Sequence, residues 1–261
     1  MRNAPAVSAS PFGARLRQWR RHRGLSQLAL AGRVGSTPRH ISFLETGRSR
    51  PSQQLVLRLG AALNVPLRER NQLLQAAGLA PVYPEADVQA PGLEPFRRVL
   101  DRLLAAHEPF PALVLDAHAR VVAASRASST LFGCGLVGSN LAERYLADPA
   151  VRIAVVNWPE IAWTALDRLR KQLEGAPFDG ELHRLVALAE AAVAGVPRPL
   201  GAEHGLVACP WFRVGETVIR TIAIAARFDT AVDVTLDELR IELIYPQDAT
   251  AERFFRGEHP A

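Results

Sequence analysis

The sequence is poor in cysteine, holding only Cys134 and Cys209, which form no CxxC pair. Two thiols are too few for a disulfide framework, so a reducing, cytoplasmic setting is expected and both are read as ordinary thiols. Long apolar runs are missing as well. None approaches the roughly 18 residues needed to cross a bilayer, and the opening MRNAPAVSAS lacks the apolar stretch of a secretion signal. No membrane partner is expected. The seven histidines show neither HxxxH nor HExxH spacing, and the chain has no P-loop and no GxSxG elbow. It therefore reads as a non-enzyme with no metal and no resident cofactor. GCGLVG (133–138) spells GxGxxG, but a helix-like SRASSTLF precedes it where a dinucleotide fold needs a strand. It is read as a glycine-rich turn.

What is present is charge, unevenly placed. Residues 1–80 carry 13 arginines against two acids, Glu45 and Glu69, a formal charge of +11. The remainder carries 18 basic and 24 acidic residues, or −6. A basic module for a polyanion, joined to an acidic domain of another kind, is the simplest reading. Between them, 81–95 hold four prolines without periodicity, which predicts a linker. The expected domains are thus 1–80, a linker over 81–95, and 96–261.

The basic part predicts five short helices. Ser10–Pro11, Ser26, Thr37–Pro38, Ser52 and Pro66 start them, and Gly24, Gly35, Gly47 and Gly78 follow or end them. Phe12, Leu16 and Trp19 recur at helical spacing, as do Leu55, Val56, Leu59 and Leu63. The acidic part predicts an α+β domain with an antiparallel sheet. Helices are expected at 96–107, 126–133, 140–147, 149–174 and 179–194, and strands at 112–116, 121–125, 206–214, 217–228 and 239–246.

LSQLALAGRVGSTPRHISFLETGRSRPS (25–52) carries the functional signal. Two short helices meet at a tight turn around Gly35. Leu30, Ala31, Val34, Ile41 and Leu44 are spaced to bury one face, with Ala31 small where the helices cross. The outer face of the third helix then presents Thr37, Arg39, His40 and Phe43, including groups able to reach base edges in a major groove. Arg48, Ser49 and Arg50 follow, placed for phosphates, and Gln27 stands near a helix N-terminus that also favours phosphate. On Leu25-Ser26-Gln27, Ala31, Gly35, Ile41-Ser42, Leu44-Glu45-Thr46-Gly47-Arg48 and Pro51-Ser52, the segment resembles the Xre/Cro-type helix-turn-helix family. Leu28 and Ala29 stand where that family usually has acids, which leaves Ser26 without a capping-box partner.

A wider set of stretches, RHISFLETGRSRPS, LNVPLRERNQLLQAAGLAPVYPE, EPFPALVLDAHARVVAAS, VNWPEIAWTALDRLR and DVTLDELRIELIYP, resembles the MmyB-like regulators. That resemblance implies a helix-turn-helix joined to a PAS-like domain with an apolar cavity for a fatty-acid-like ligand. It implies a sequence-specific transcription regulator that binds double-stranded DNA. Candidate cavity residues are Leu113, Leu115, Val122, Phe132, Trp158, Trp163, Ile222 and Ile224. A single helix-turn-helix reads few base pairs, so a homodimer on half-sites about 34 Å apart is expected. The alternative is a PAS-like domain that serves protein interaction or dimerisation and holds no small molecule.

Overall fold

The computed structural model describes residues 10–199 and 209–258. It divides into two compact units, one built on the chain up to Glu85 and the other on the chain from Ala86.

The first unit is all helix: α1 (Pro11–His22), α2 (Gln27–Arg33), α3 (Pro38–Glu45), α4 (Gln53–Ala62) and α5 (Leu67–Ala76). Ser10, Ser26, Thr37 and Ser52 start the first four as expected. Each side-chain oxygen accepts a hydrogen bond from the backbone N–H three residues on, a cap worth about 1 kcal/mol. Gly35 takes φ of +62°, which lets α2 turn into α3 within a few residues. Phe12, Leu16, Trp19, Leu30, Ala31, Ile41, Leu44, Val56, Leu59 and Leu74 form one buried core. Where α1 crosses α3 the backbones nearly touch: a Cβ on Gly13 would lie 2.5 Å from the Leu44 carbonyl oxygen. The first piece of the expected linker packs on this unit. Asn71 accepts from the backbone N–H groups of Val82 and Tyr83 and donates to the Tyr83 carbonyl at 2.7 Å.

The second unit begins with a 3₁₀ turn (Pro91–Leu93) whose Leu93 is buried. It continues through α6 (Glu94–His107), β1 (Ala112–Leu115), β2 (Val121–Ala124), α7 (Ser128–Phe132), α8 (Leu141–Ala147), α9 (Pro149–Ala154), α10 (Trp158–Gly175) and α11 (Gly180–Val193). It ends with β3 (Trp211–Val214), β4 (Thr217–Ala226), α12 (Val234–Glu238), β5 (Arg240–Pro246) and α13 (Ala249–Arg256). The five strands make one antiparallel sheet in the order β2-β1-β5-β4-β3. Residues 206–208 of the third expected strand lie outside the described residues.

The register sorts side chains between the two faces. Ala223 pairs with Ile244, Ala225 with Glu242, Leu113 with Glu242 and Leu115 with Arg240, so these share one face. Ile222, Ile224, Leu243, Tyr245, Ala112 and Val114 share the other. On that second face Leu100 and Leu104 of α6 pack with Ala112, Val114 and Ile241.

Two elements differ from expectation. The single helix predicted over 149–174 is broken at Val155–Asn157, where the chain joins the sheet edge instead. Val155 bridges to Phe212, and the Val156 N–H donates to the Trp211 carbonyl at 2.8 Å. Asn157, buried, holds the break by accepting from the Trp211 N–H and donating to the Cys209 carbonyl. The helices α12 and α13 were not expected. Yet Asp248 caps α13 at the Ala251 N–H, and Gly257 ends it with φ of +72°.

Candidate nucleic-acid interface and ligand cavity

Helix α3 presents two unlike faces. Ile41, Leu44 and Glu45 are buried against the core, whereas Thr37 and Arg39 are exposed and His40 and Phe43 half-buried on the other side. The Thr37 hydroxyl caps the helix at the His40 N–H, and His40 Nδ1 sits 3.1 Å from Ser36 Oγ. The Arg39 guanidinium lies 5.2 Å from the Phe43 ring centroid and that of Arg48 lies 6.0 Å away, so one ring carries both cations. Arg48 and Ser49 are fixed by their own N–H groups, which donate to the Phe43 carbonyl at 2.8 and 3.2 Å. Arg50 is exposed. Among the described residues Arg39, Arg48 and Arg50 have no carboxylate partner. Seven of the eight expected nucleic-acid residues therefore lie on one stretch, 37–50.

Gln27 is placed differently. Its amide nitrogen donates to Glu45 Oε2 at 2.9 Å, inside a network that sequence reading missed. Glu45 is fully buried and takes Arg20 Nε at 2.5 Å, Arg20 Nη2 at 2.9 Å and Arg17 Nε at 3.4 Å. Burial alone would raise the Glu45 carboxyl, but hydrogen bonds from Arg20 and Gln27 and the charges of Arg20 and Arg17 outweigh it and leave the carboxyl below its usual value. Arg20 is raised in turn, chiefly by its hydrogen bond to Glu45.

The second unit holds a partly open cavity of about 280 Å³ between the sheet and the helices α8 and α10. From α10 come Ile161, Thr164, Ala165, Arg168, Leu169 and Gln172, a stripe with helical spacing. From the sheet come Thr221, Ala223, Ala225, Arg240, Glu242 and Ile244, joined by Phe132, Leu141, Tyr145, Cys209 and Asp116. Tyr145 is held protonated by burial, which pushes its hydroxyl well above the usual value, and burial likewise raises the Cys209 thiol.

Of the eight expected cavity residues, Phe132 lines the space. Leu113 and Leu115 sit on the cavity side of β1 but are wholly buried beneath the lining. Val122 packs with the α6 cluster on the far side of the sheet. Trp158 is buried with its Nε1 donating to the Tyr145 carbonyl at 2.7 Å, while Trp163 reaches the Val196 carbonyl and lies under Arg198. Ile222 and Ile224 are corrected by the pleat: they occupy the outer face of β4 and are 38% and 53% exposed. The cavity exists because the inner row of that strand is Thr221, Ala223 and Ala225, side chains too small to fill it. The glycines of GCGLVG follow the helix α7 and take φ of +73° to +87°, which makes the segment a turn.

Among the described residues no helix is long and apolar enough to cross a membrane, and no group of three or more metal-ligating side chains occurs. No curated protein matches the chain. Residues 11–73 match a helix-turn-helix domain, and residues 96–257 match the MmyB-like transcription regulator ligand binding domain. The chain thus belongs to the MmyB-like transcription regulators, DNA-binding proteins that join a helix-turn-helix to a ligand-binding domain.

Proposed function

We propose that α3 is the reading helix of a sequence-specific regulator and that the cavity holds a small, largely apolar, fatty-acid-like effector. The observation that carries the first half is the outward row of Thr37, Arg39, His40 and Phe43, with no carboxylate on Arg39, Arg48 or Arg50 among the described residues. Arg39 is assigned to guanine O6/N7, and Arg48, Ser49 and Arg50 to phosphates. Gln27 supports α3 from within through Glu45. The protein acts as a homodimer on half-sites about 34 Å apart. The cavity volume lies just below the roughly 300–1,000 Å³ of small-molecule sites, and its apolar end suits a short acyl chain. Ligand binding alters DNA affinity only by favouring one dimer arrangement over another.

Selection of bound sequences from a random DNA pool tests the first half, and native mass spectrometry for a co-purifying lipid-sized mass tests the second. A chain that ignores DNA even in low salt removes the reading of α3. A second reading, in which the sensor domain docks a protein or its own copy, is favoured by one observation. Phe96 and Val99 on α6 and Ile222 and Ile224 on β4 are exposed apolar side chains on the same outer side of the sheet. A ligand-free mass spectrum together with loss of dimer in Ile224→Asp would favour it.

A further inference from the structure

Phe43 is the large apolar side chain of α3 that stays out of the core. Ile41 and Leu44 are buried in the cluster shared with the other helices, whereas Phe43 is half-buried and does not pack against that cluster. What it meets is charge. Phe43 stands one turn after Arg39, on the same side of the helix. The chain beyond α3 then folds back, through Gly47 at φ of +76°, so that the Arg48 and Ser49 N–H groups donate to the Phe43 carbonyl. The guanidinium carbons of Arg39 and Arg48 come to lie 5.2 and 6.0 Å from its ring centroid.

The alternative way to hold an arginine shows what the ring is suited to. A free arginine has many rotamers, and ordering it on binding costs affinity. A carboxylate partner would order it beforehand, yet beside a groove that carboxylate would repel the phosphates of DNA. Residues 1–80 contain only two acids, Glu45 and Glu69, and both are buried beside Arg20 and Arg15. An aromatic ring attracts a guanidinium through its quadrupole and adds no negative charge. It orders a cation without repelling the polyanion.

Building on the assignment of α3 as the reading helix, we infer that Phe43 is a positioning residue for sequence discrimination. Its ring holds the Arg39 fork ready for a base edge and holds Arg48 beside it for the phosphate backbone. Phe43 acts through Arg39 and needs no base contact of its own.

The test measures affinity of the full chain for selected and scrambled DNA by gel shift, at several salt concentrations. Phe43→Leu keeps apolar bulk and removes the ring. The ratio of the two affinities should fall by about two- to fivefold, the size of one exposed cation–π contact. The slope of log affinity against log salt should stay at the wild-type value, because no charge is lost. Phe43→Tyr keeps the ring and should keep the ratio. In an Arg39→Ala background, Phe43→Leu should leave the ratio unchanged, since the side chain it positions is gone. A ratio between two DNAs is insensitive to a fraction of unfolded chain, so reduced stability of a variant does not mask the result. An unchanged ratio in Phe43→Leu, or an equal fall in Phe43→Tyr, would overturn the positioning role and leave α3 as the reading helix. A further fall in the Arg39→Ala background would make the ring a base contact itself and would also overturn that role. A wild type that does not prefer its selected DNA would remove the reading of α3 and the role of Phe43 together.

Discussion

The arginine–glutamate clusters around the buried Glu45 and around the half-buried Glu242 are built to opposite standards. In the first unit Glu45 is surrounded: Arg20, Arg17 and Gln27 all donate to it, and Arg20 also donates to the Leu25 carbonyl at 2.7 Å. In the second unit Arg240 and Glu242 meet through one oxygen, and Arg240 Nε is left over. A satisfied buried network locks neighbouring elements together, and here it ties α1, α2 and α3 into one block. The Arg240–Glu242 contact, made through one oxygen beside the cavity, lacks that closure.

The sharpest way to break this contrast is Glu45→Ala. It leaves Arg20 buried without its partner, and the expected loss is about 3–5 kcal/mol by urea or thermal unfolding. Next comes the reading face. Arg39→Ala is expected to cost about 1–3 kcal/mol on the selected sequence and much less on scrambled DNA, measured by gel shift. Equal losses on both would remove Arg39 from base reading. Arg48→Ala should weaken all sequences alike and lower the slope of log affinity against log salt by about one.

Smaller still is Arg240→Met. Arg168 remains to meet Glu242, so the ligand-free chain should change by less than about 1 kcal/mol, and a loss as large as that of Glu45→Ala would erase the distinction. Acid titration refines the same comparison. The Glu45 carboxyl is lowered in the folded state, so its stabilisation is present above the unfolded value of about 4.3 and fades as pH falls through the lower folded value. Glu45→Gln should flatten stability against pH in that acid range, whereas a curve parallel to wild type would contradict the network.

The two units also differ in how plainly they can be read. The caps Ser10, Ser26, Thr37 and Ser52, the inward Leu30, Ile41 and Leu44, and the outward Arg39 follow from spacing within a few residues of each other. That is why α3 and its exposed side are visible in the sequence. The cavity depends on which face of β4 turns inward, and that is fixed by pairing with β5, distant in the chain. Reading for bulk selected Ile222 and Ile224, whereas the space is made by what is small, Ala223 and Ala225. The stripe Ile161, Ala165, Leu169 and Gln172 has helical spacing and lines the cavity, whereas the bulkier Trp158 and Trp163 donate to backbone carbonyls elsewhere. Glu45 belongs to the helix-turn-helix motif, but its role has no local sign, because Arg17, Arg20 and Gln27 reach it from two other helices. Gly13 gave no local sign that a neighbouring carbonyl would sit where its side chain would be.

Asn71 has a practical consequence for anyone excising the DNA-binding half. It is 5% exposed, and its amide is matched entirely to the backbone of Val82 and Tyr83. A fragment ending at Ala80 would strip away all three of those hydrogen bonds and open α5 to solvent along that edge. One ending at Glu85 keeps them, and should melt at the higher temperature of the two.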